Sequence, residues 1–81
     1  MPLKAEFRPR FRKDLRGLPR GDQADINETI NHFLRKDGKF DVIRLNSELW
    51  RLKTGPWRIF FSFEGDLIVF LSISRRTSKT Y

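Results

Sequence analysis

From residue 49 to residue 58 the chain reads LWRLKTGPWR, ten residues holding two tryptophans, three cations and a Gly-Pro break. Guanidinium and ammonium groups gathered on one surface bind phosphate. Aromatic rings beside them stack on bases, so the combination suits single-stranded RNA. A few residues further on, SRRTSKTY adds Arg75, Arg76, Lys79 and a terminal Tyr81. Any one of Arg51, Lys53 or Arg58 is explained by the wet side of a half-exposed strand. Three on one face, close to a basic tail ending in tyrosine, point to a binding surface.

That they share a face follows from strand geometry. Residues 49–54, 57–64 and 67–74 are rich in β-branched and aromatic side chains, and Gly55-Pro56 and Gly65-Asp66 separate them as tight turns. Side chains alternate across a strand. Trp50 and Leu52 therefore fall on one face, and Leu49, Arg51 and Lys53 on the other. On the next strand Trp57, Ile59, Phe61 and Phe63 oppose Arg58, Phe60, Ser62 and Glu64. Strict alternation on the last strand sends Leu67, Val69, Leu71 and Ile73 to the core and Ile68 and Phe70 to the cationic face. Leu49, Phe60, Ile68 and Phe70 would then form an apolar patch beside the cations, and such patches mark contact surfaces.

Upstream elements must cover the other face. Residues 3–7 read as a first strand. Phe7, Phe11, Leu15 and Leu18 recur at helical spacing until Pro19 and Gly21. Asp22 is suited to cap a second helix, with Ile26, Ile30, Phe33 and Leu34 as its stripe and Asp37-Gly38 as its end. The expected fold is α+β: two N-terminal helices packed on one face of a four-stranded, mainly antiparallel sheet, with the first strand pairing back.

With 81 residues the chain forms one domain, 1–81, with a small core. Seventeen Lys and Arg against ten Asp and Glu give a net charge of +7, with seven of the cations in the first twenty positions. Polyanions are the matching partners for such a field. There is no cysteine, hence no disulfide framework and no thiolate metal site. The carboxylates lack metal-ligand spacing, and no Gly-rich phosphate loop occurs. His32, the one histidine, lies beside Ile30 and Phe33 and reads as structural. No segment resembles a signal peptide or membrane span, so the expectation is a soluble, cytoplasmic protein that needs no cofactor.

The hairpin ELWRLKTGPWRIFF, the strand LIVFLSIS and the basic stretch ending in tyrosine together resemble the RelE/ParE superfamily of bacterial toxins. FRKDLRGLP and the helix after it resemble that family's N-terminal helical hairpin. The resemblance spans nearly the whole chain, lies nearest the RelE branch, and implies a RelE-like microbial RNase-type fold. It further implies a ribosome-dependent endoribonuclease that cuts mRNA in the A site without a metal. The 2′-hydroxyl would attack the adjacent phosphate and leave a 2′,3′-cyclic end.

By position, the family's pattern gives catalytic roles to Lys53, Arg58, Arg75 and Tyr81, and RNA contacts to Arg51, Arg76 and Lys79. Lys53 becomes the candidate base, because arginine cannot give up its proton and neighbouring arginines disfavour an ammonium form. Arg58 would stabilise charge on the phosphate, Arg75 the leaving group, and Tyr81 would stack on or align the substrate. This sequence has Arg51 where the branch often has lysine, so Lys79 is the other candidate base. The implied partners are mRNA in the ribosomal A site, ribosomal RNA and a cognate acidic antitoxin, the last on Leu49, Phe60, Ile68 and Phe70 in a hetero-oligomer. Two alternatives share the fold: a ParE-like inhibitor that binds gyrase and cleaves nothing, and a non-catalytic RNA-binding domain.

Overall fold

The apolar spacing of the first third does produce two helices, and the turn residues do delimit strands. The computed structural model describes residues 4–75. Strand β1 (Lys4–Phe7) leads into helix α1 (Pro9–Arg16), helix α2 (Arg20–Leu34) and strands β2 (Asp41–Arg44), β3 (Trp50–Thr54), β4 (Trp57–Glu64) and β5 (Leu67–Arg75). Pro9 opens α1 at a position whose N–H would have no helical partner in any case. Helix α2 begins three residues earlier than a cap at Asp22 suggests, behind Pro19, and places Asp22 inside its positive first turn.

The sheet has five strands rather than the expected four, in the order β1-β5-β4-β3-β2. Strand β1 runs parallel to β5, and the remaining pairs are antiparallel. The additional strand is β2, only four residues long and paired on one side. It is held by its turn. Asn46 Oδ1 accepts the backbone N–H groups of Glu48 (2.8 Å) and Leu49 (2.9 Å), and Leu45 N–H reaches Leu49 C=O at 2.8 Å. Asparagine closing its own turn in this way is a local effect. The length of the strand is a tertiary one, set by the ladder that β3 offers.

Both helices lie on one face. Phe11, Ile26 and Ile30 meet Leu52, Ile59, Phe61, Ile68, Phe70 and Ile73 in a single core. This overturns the expected facing of β5. Phe60 pairs with Ser72, but Phe61 pairs with Phe70, so Leu71 has no partner on β4 and forms a bulge. A one-residue slip reverses every side chain beyond it. Ile73 keeps its place in the core, while Ile68 and Phe70 turn toward the helices and are wholly buried. Phe70 stacks on Phe7 at 5.1 Å and lies 5.7 Å from Phe11. Ile68 and Phe70 are thus core residues and form no part of a partner surface.

Helix α1 also completes the ladder of β5. β1 ends opposite Phe70, whose carbonyl accepts Arg8 N–H at 3.0 Å. Beyond that point the Asp14 carboxylate accepts Ile73 N–H at 3.0 Å, doing for the backbone what a longer β1 would have done. Phe70→Ala is expected to cost about 3–5 kcal/mol, as large core truncations do. Phe60→Ala, on the other side of the sheet, should cost less than half as much. Urea unfolding of the two variants checks the facing; equal losses would contradict it.

Candidate functional site

The turn between β3 and β4 positions the cations. Gly55, with φ 55, is followed by Pro56, and glycine first is what a type II′ hairpin turn requires. Thr54 then pairs with Trp57, Lys53 with Arg58, Leu52 with Ile59 and Arg51 with Phe60. Residues directly opposite on antiparallel strands lie within ~4.5–5.5 Å at Cβ. Lys53 and Arg58 therefore stand side by side on the face away from the helices, and Arg51 is two residues along the same face.

Strand β2 extends both rows. Asp41 pairs with Lys53, and Ile43 with Arg51. Strand β5 supplies Ser74 opposite Arg58 and Ser72 opposite Phe60. One row across four strands is thus Asp41, Lys53, Arg58, Ser74; the next is Ile43, Arg51, Phe60, Ser72. Lys53 Nζ lies 3.9 Å from the Asp41 carboxylate, with about a quarter of its side chain exposed.

The two arginines are held differently. The Nε atoms of Arg51 and Arg58 are shielded from solvent and have no hydrogen-bond acceptor among the described residues. Stripping a polar group of water without giving it a partner costs about 1–3 kcal/mol in proteins. A guanidinium in this condition presents a standing demand for an oxygen acceptor, and phosphate meets it with fork geometry.

The residues expected to act together are only partly brought together. Arg51, Lys53 and Arg58 share one face. Arg75 pairs with Trp57 and lies over its ring, 5.9 Å from the centroid, on the helix side of the sheet. Arg76, Lys79 and Tyr81 lie outside the described residues. Of the apolar set, Leu49 and Phe60 are half-buried near the cations, whereas Ile68 and Phe70 have left for the core. Exposed apolar side chains lie instead toward the other edge of the sheet: Ile43 on β2, the strand that sequence reasoning missed, and Leu45 just after it, 41% and 43% exposed. A similar pattern on each side of the Asn46 turn, VIRL before it and LWRL after, was the available signal.

Around the same hairpin end the charge changes sign. A groove of about 750 Å³ between α2 and the turn is lined by Asp22, Asp25, Glu28, Asp37 and Asp41, and reaches Lys53. His32 lies here, with Nε2 3.7 Å from Glu28 and Nδ1 3.3 Å from Asp37, away from the cationic row. Asp37 N–H also closes the end of α2 on His32 C=O at 2.9 Å. Among the described residues no three His, Cys, Asp or Glu side chains gather as a metal site. Among the described residues no helix is long and apolar enough to cross a membrane.

The fold has close structural counterparts. The chain superimposes on RelE in the archaeal RelE–RelB complex from Pyrococcus horikoshii OT3 with a TM-score of 0.80, at 23% identity over 96% of this chain and 99% of that one. The fold is that of the RelE toxins. The isolated E. coli RelE toxin matches with a TM-score of 0.76 at 12% identity, covering 96% of this chain and 88% of the other. A YoeB dimer from Staphylococcus aureus gives 0.70 at 17% identity, with 95% and 100% covered. No protein-family model matches the sequence, and no curated protein is significantly similar to it. The RelE likeness thus resides in backbone geometry far more than in residue identity.

An arginine kept for a ligand contributes little to folding. Arg58→Met, which retains the apolar stem and removes the unpartnered Nε, is expected to leave stability unchanged or raise it by up to about 1 kcal/mol. Urea unfolding reads this directly. A loss well beyond that size would make Arg58 a structural residue.

Proposed function

We propose that this protein is the toxin of a toxin–antitoxin pair and a ribosome-dependent mRNA endoribonuclease of the RelE type, working in the cytoplasm without a metal. The observation that supports this most is the pair of arginines flanking Lys53 with shielded, unpartnered Nε atoms on one open sheet face. Such a surface is prepared for the phosphodiester of a strand laid across it.

In this reading the ribose 2′-hydroxyl attacks the adjacent phosphorus. Its proton passes to Lys53 in its free-amine form, the P–O5′ bond breaks, and the 5′ oxygen takes a proton from water as it leaves. The products are a 2′,3′-cyclic phosphate and a 5′-hydroxyl. Arg58 is beside Lys53 and meets the charge that builds on the non-bridging oxygens. Arg51 anchors the neighbouring phosphate. Arg75, held at Trp57 on the helix side of the sheet, is assigned to the substrate outside the row, together with Arg76, Lys79 and the stacking ring of Tyr81. The ribosome supplies what so small a site lacks, an mRNA held in line for attack.

The silent state would be a complex with an acidic antitoxin. The P. horikoshii RelE structure is itself a complex with RelB. Here the receiving surface is Leu49 and Phe60 with Ile43 and Leu45, beside a positive field, which suits an acidic amphipathic segment that folds on binding.

Arg58→Ala is expected to reduce cleavage by roughly 10²–10³ while ribosome binding persists, because the contact is strongest in the transition state. Lys53→Arg keeps the charge and removes the proton acceptor, so it should bind ribosomes and cut poorly. Mapping mRNA 5′ ends in expressing cells measures both. Wild-type cutting by Lys53→Arg would reduce Lys53 to an anchor. Intact mRNA with DNA damage would favour gyrase inhibition instead.

A further inference from the structure

One member of the charged row has no part in the scheme above. Asp41 sits directly across from Lys53, on the side opposite Arg58, and its carboxylate lies 3.9 Å from Nζ. It is more than half exposed, so nothing in the core demands a carboxylate there. A carboxylate and a phosphodiester carry the same charge and accept the same hydrogen bonds from an ammonium group. Asp41 is in the position of a resident substitute for a substrate phosphate.

We propose that Asp41 is a specificity element of the phosphate site, occupying Lys53 in the free protein so that polyanions engage Lys53 only by displacing it. The inference rests on reading the cationic face as an RNA site. Beyond Asp41 the groove wall continues with Asp37, Glu28, Asp25 and Asp22 against the one cation Lys39, so acidic groups predominate next to the β2 end of the row and disfavour phosphate there. At the other end, Arg58 is followed by the uncharged Ser74 and has an Nε with no acceptor. A strand therefore makes its first phosphate contact at Arg58. Contact at Lys53 comes second, and only for a phosphate placed well enough to replace the carboxylate.

The consequence is discrimination. A protein with a net charge of +7 attracts every nucleic acid in its surroundings, and that attraction carries no information about sequence or shape. Neutralising the central cation until a well-placed phosphate arrives lowers affinity for casually bound strands more than for one presented in register.

The test uses the full chain and a labelled 2′-O-methyl oligouridylate, which offers phosphates and cannot be cut. Affinity is followed by anisotropy from about 50 to about 200 mM salt, the range over which phosphate contacts are titrated. Asp41→Asn is expected to bind about 2- to 5-fold tighter at low salt, the range of a part-exposed ion pair. The slope of log affinity against log salt should steepen by about 0.7, the increment for one added phosphate contact on a single strand. Asp41→Glu should restore wild-type behaviour, and thermal unfolding shows that each variant is folded. The gain must also vanish in the double variant Asp41→Asn, Lys53→Gln, since the effect runs through Lys53. Unchanged affinity and slope in Asp41→Asn would overturn the proposal. So would a gain that survives loss of Lys53, which would reduce Asp41 to net charge, or a wild type that does not bind the strand at all. Cleavage is read separately by 5′-end mapping. Cuts without an Asp41 effect end this inference alone, and an Asp41 effect without cuts ends the nuclease reading alone.

Discussion

A chain of this size can bury one face of one sheet, and everything else follows from which apolar side chains reach it. The bulge at Leu71 makes that choice. Without it, β5 would present Leu67, Val69, Leu71 and Ile73 to the helices in one unbroken row and leave Ile68 and Phe70 on the outer surface. With it, the strand changes face part-way along. Phe70 joins Phe7, Phe11 and Phe61 in an aromatic cluster, with centroids 5.1–5.9 Å from its own. Asp14 meets the backbone just past the bulge, so the irregular segment is also the one that α1 grips. Packing and polar satisfaction agree at this point, which is why a locally irregular ladder can sit at the centre of the fold.

The same choice exchanges apolar side chains on the outer face. The bulge turns Ile68 and Phe70 inward and Leu67 and Val69 outward, while Ser72 and Ser74, on the other side of it, stay beside Phe60 and Arg58. Arg58 faces the small hydroxyl side chain of Ser74 there. Both tryptophans are on the helix side, where Trp57 holds Arg75 and Trp50 holds Arg44 by their ring faces. Sheet alternation thus sorts these basic residues into two kinds: those braced on tryptophan and those on the open face, where Arg51 and Arg58 have Nε atoms without acceptors among the described residues.

Charge is sorted as strictly as shape. Five of the chain's ten carboxylates line the groove between α2 and the β3–β4 turn. Their neighbour across β3 is the cationic row, so the field changes sign over the width of a few strands. A uniformly basic surface would bind nucleic acid everywhere; a boundary of this kind gives the surface a direction. Asp41 stands on that boundary. The ion-pair partner of Lys53 thus comes from a four-residue edge strand.

Local physics was enough for much of this. Helical spacing of Phe7, Phe11, Leu15 and Leu18, the prolines, and glycines at Gly55 and Gly65 specify the order of the elements and their turns. Period-two alternation around a fixed two-residue turn places Arg51, Lys53 and Arg58 together, because their register is set within ten residues of chain. The family likeness could be read from the hairpin and tail, although at 23% identity or less the fold preserves far more than the residues do. What the sequence could not reveal lay where distant segments meet. The bulge is invisible in LIVFLSIS, since every residue before Ser72 is apolar and either facing satisfies alternation; only the positions of Phe7 and Phe11 against β5 decide it. Strand β2 is too short to declare itself and exists because β3 has an unpaired edge. The ion pair of Asp41 with Lys53, and the parting of Arg75 from Arg58, therefore belong to tertiary structure alone, because strand pairing determines them and pairing partners are not written in either strand.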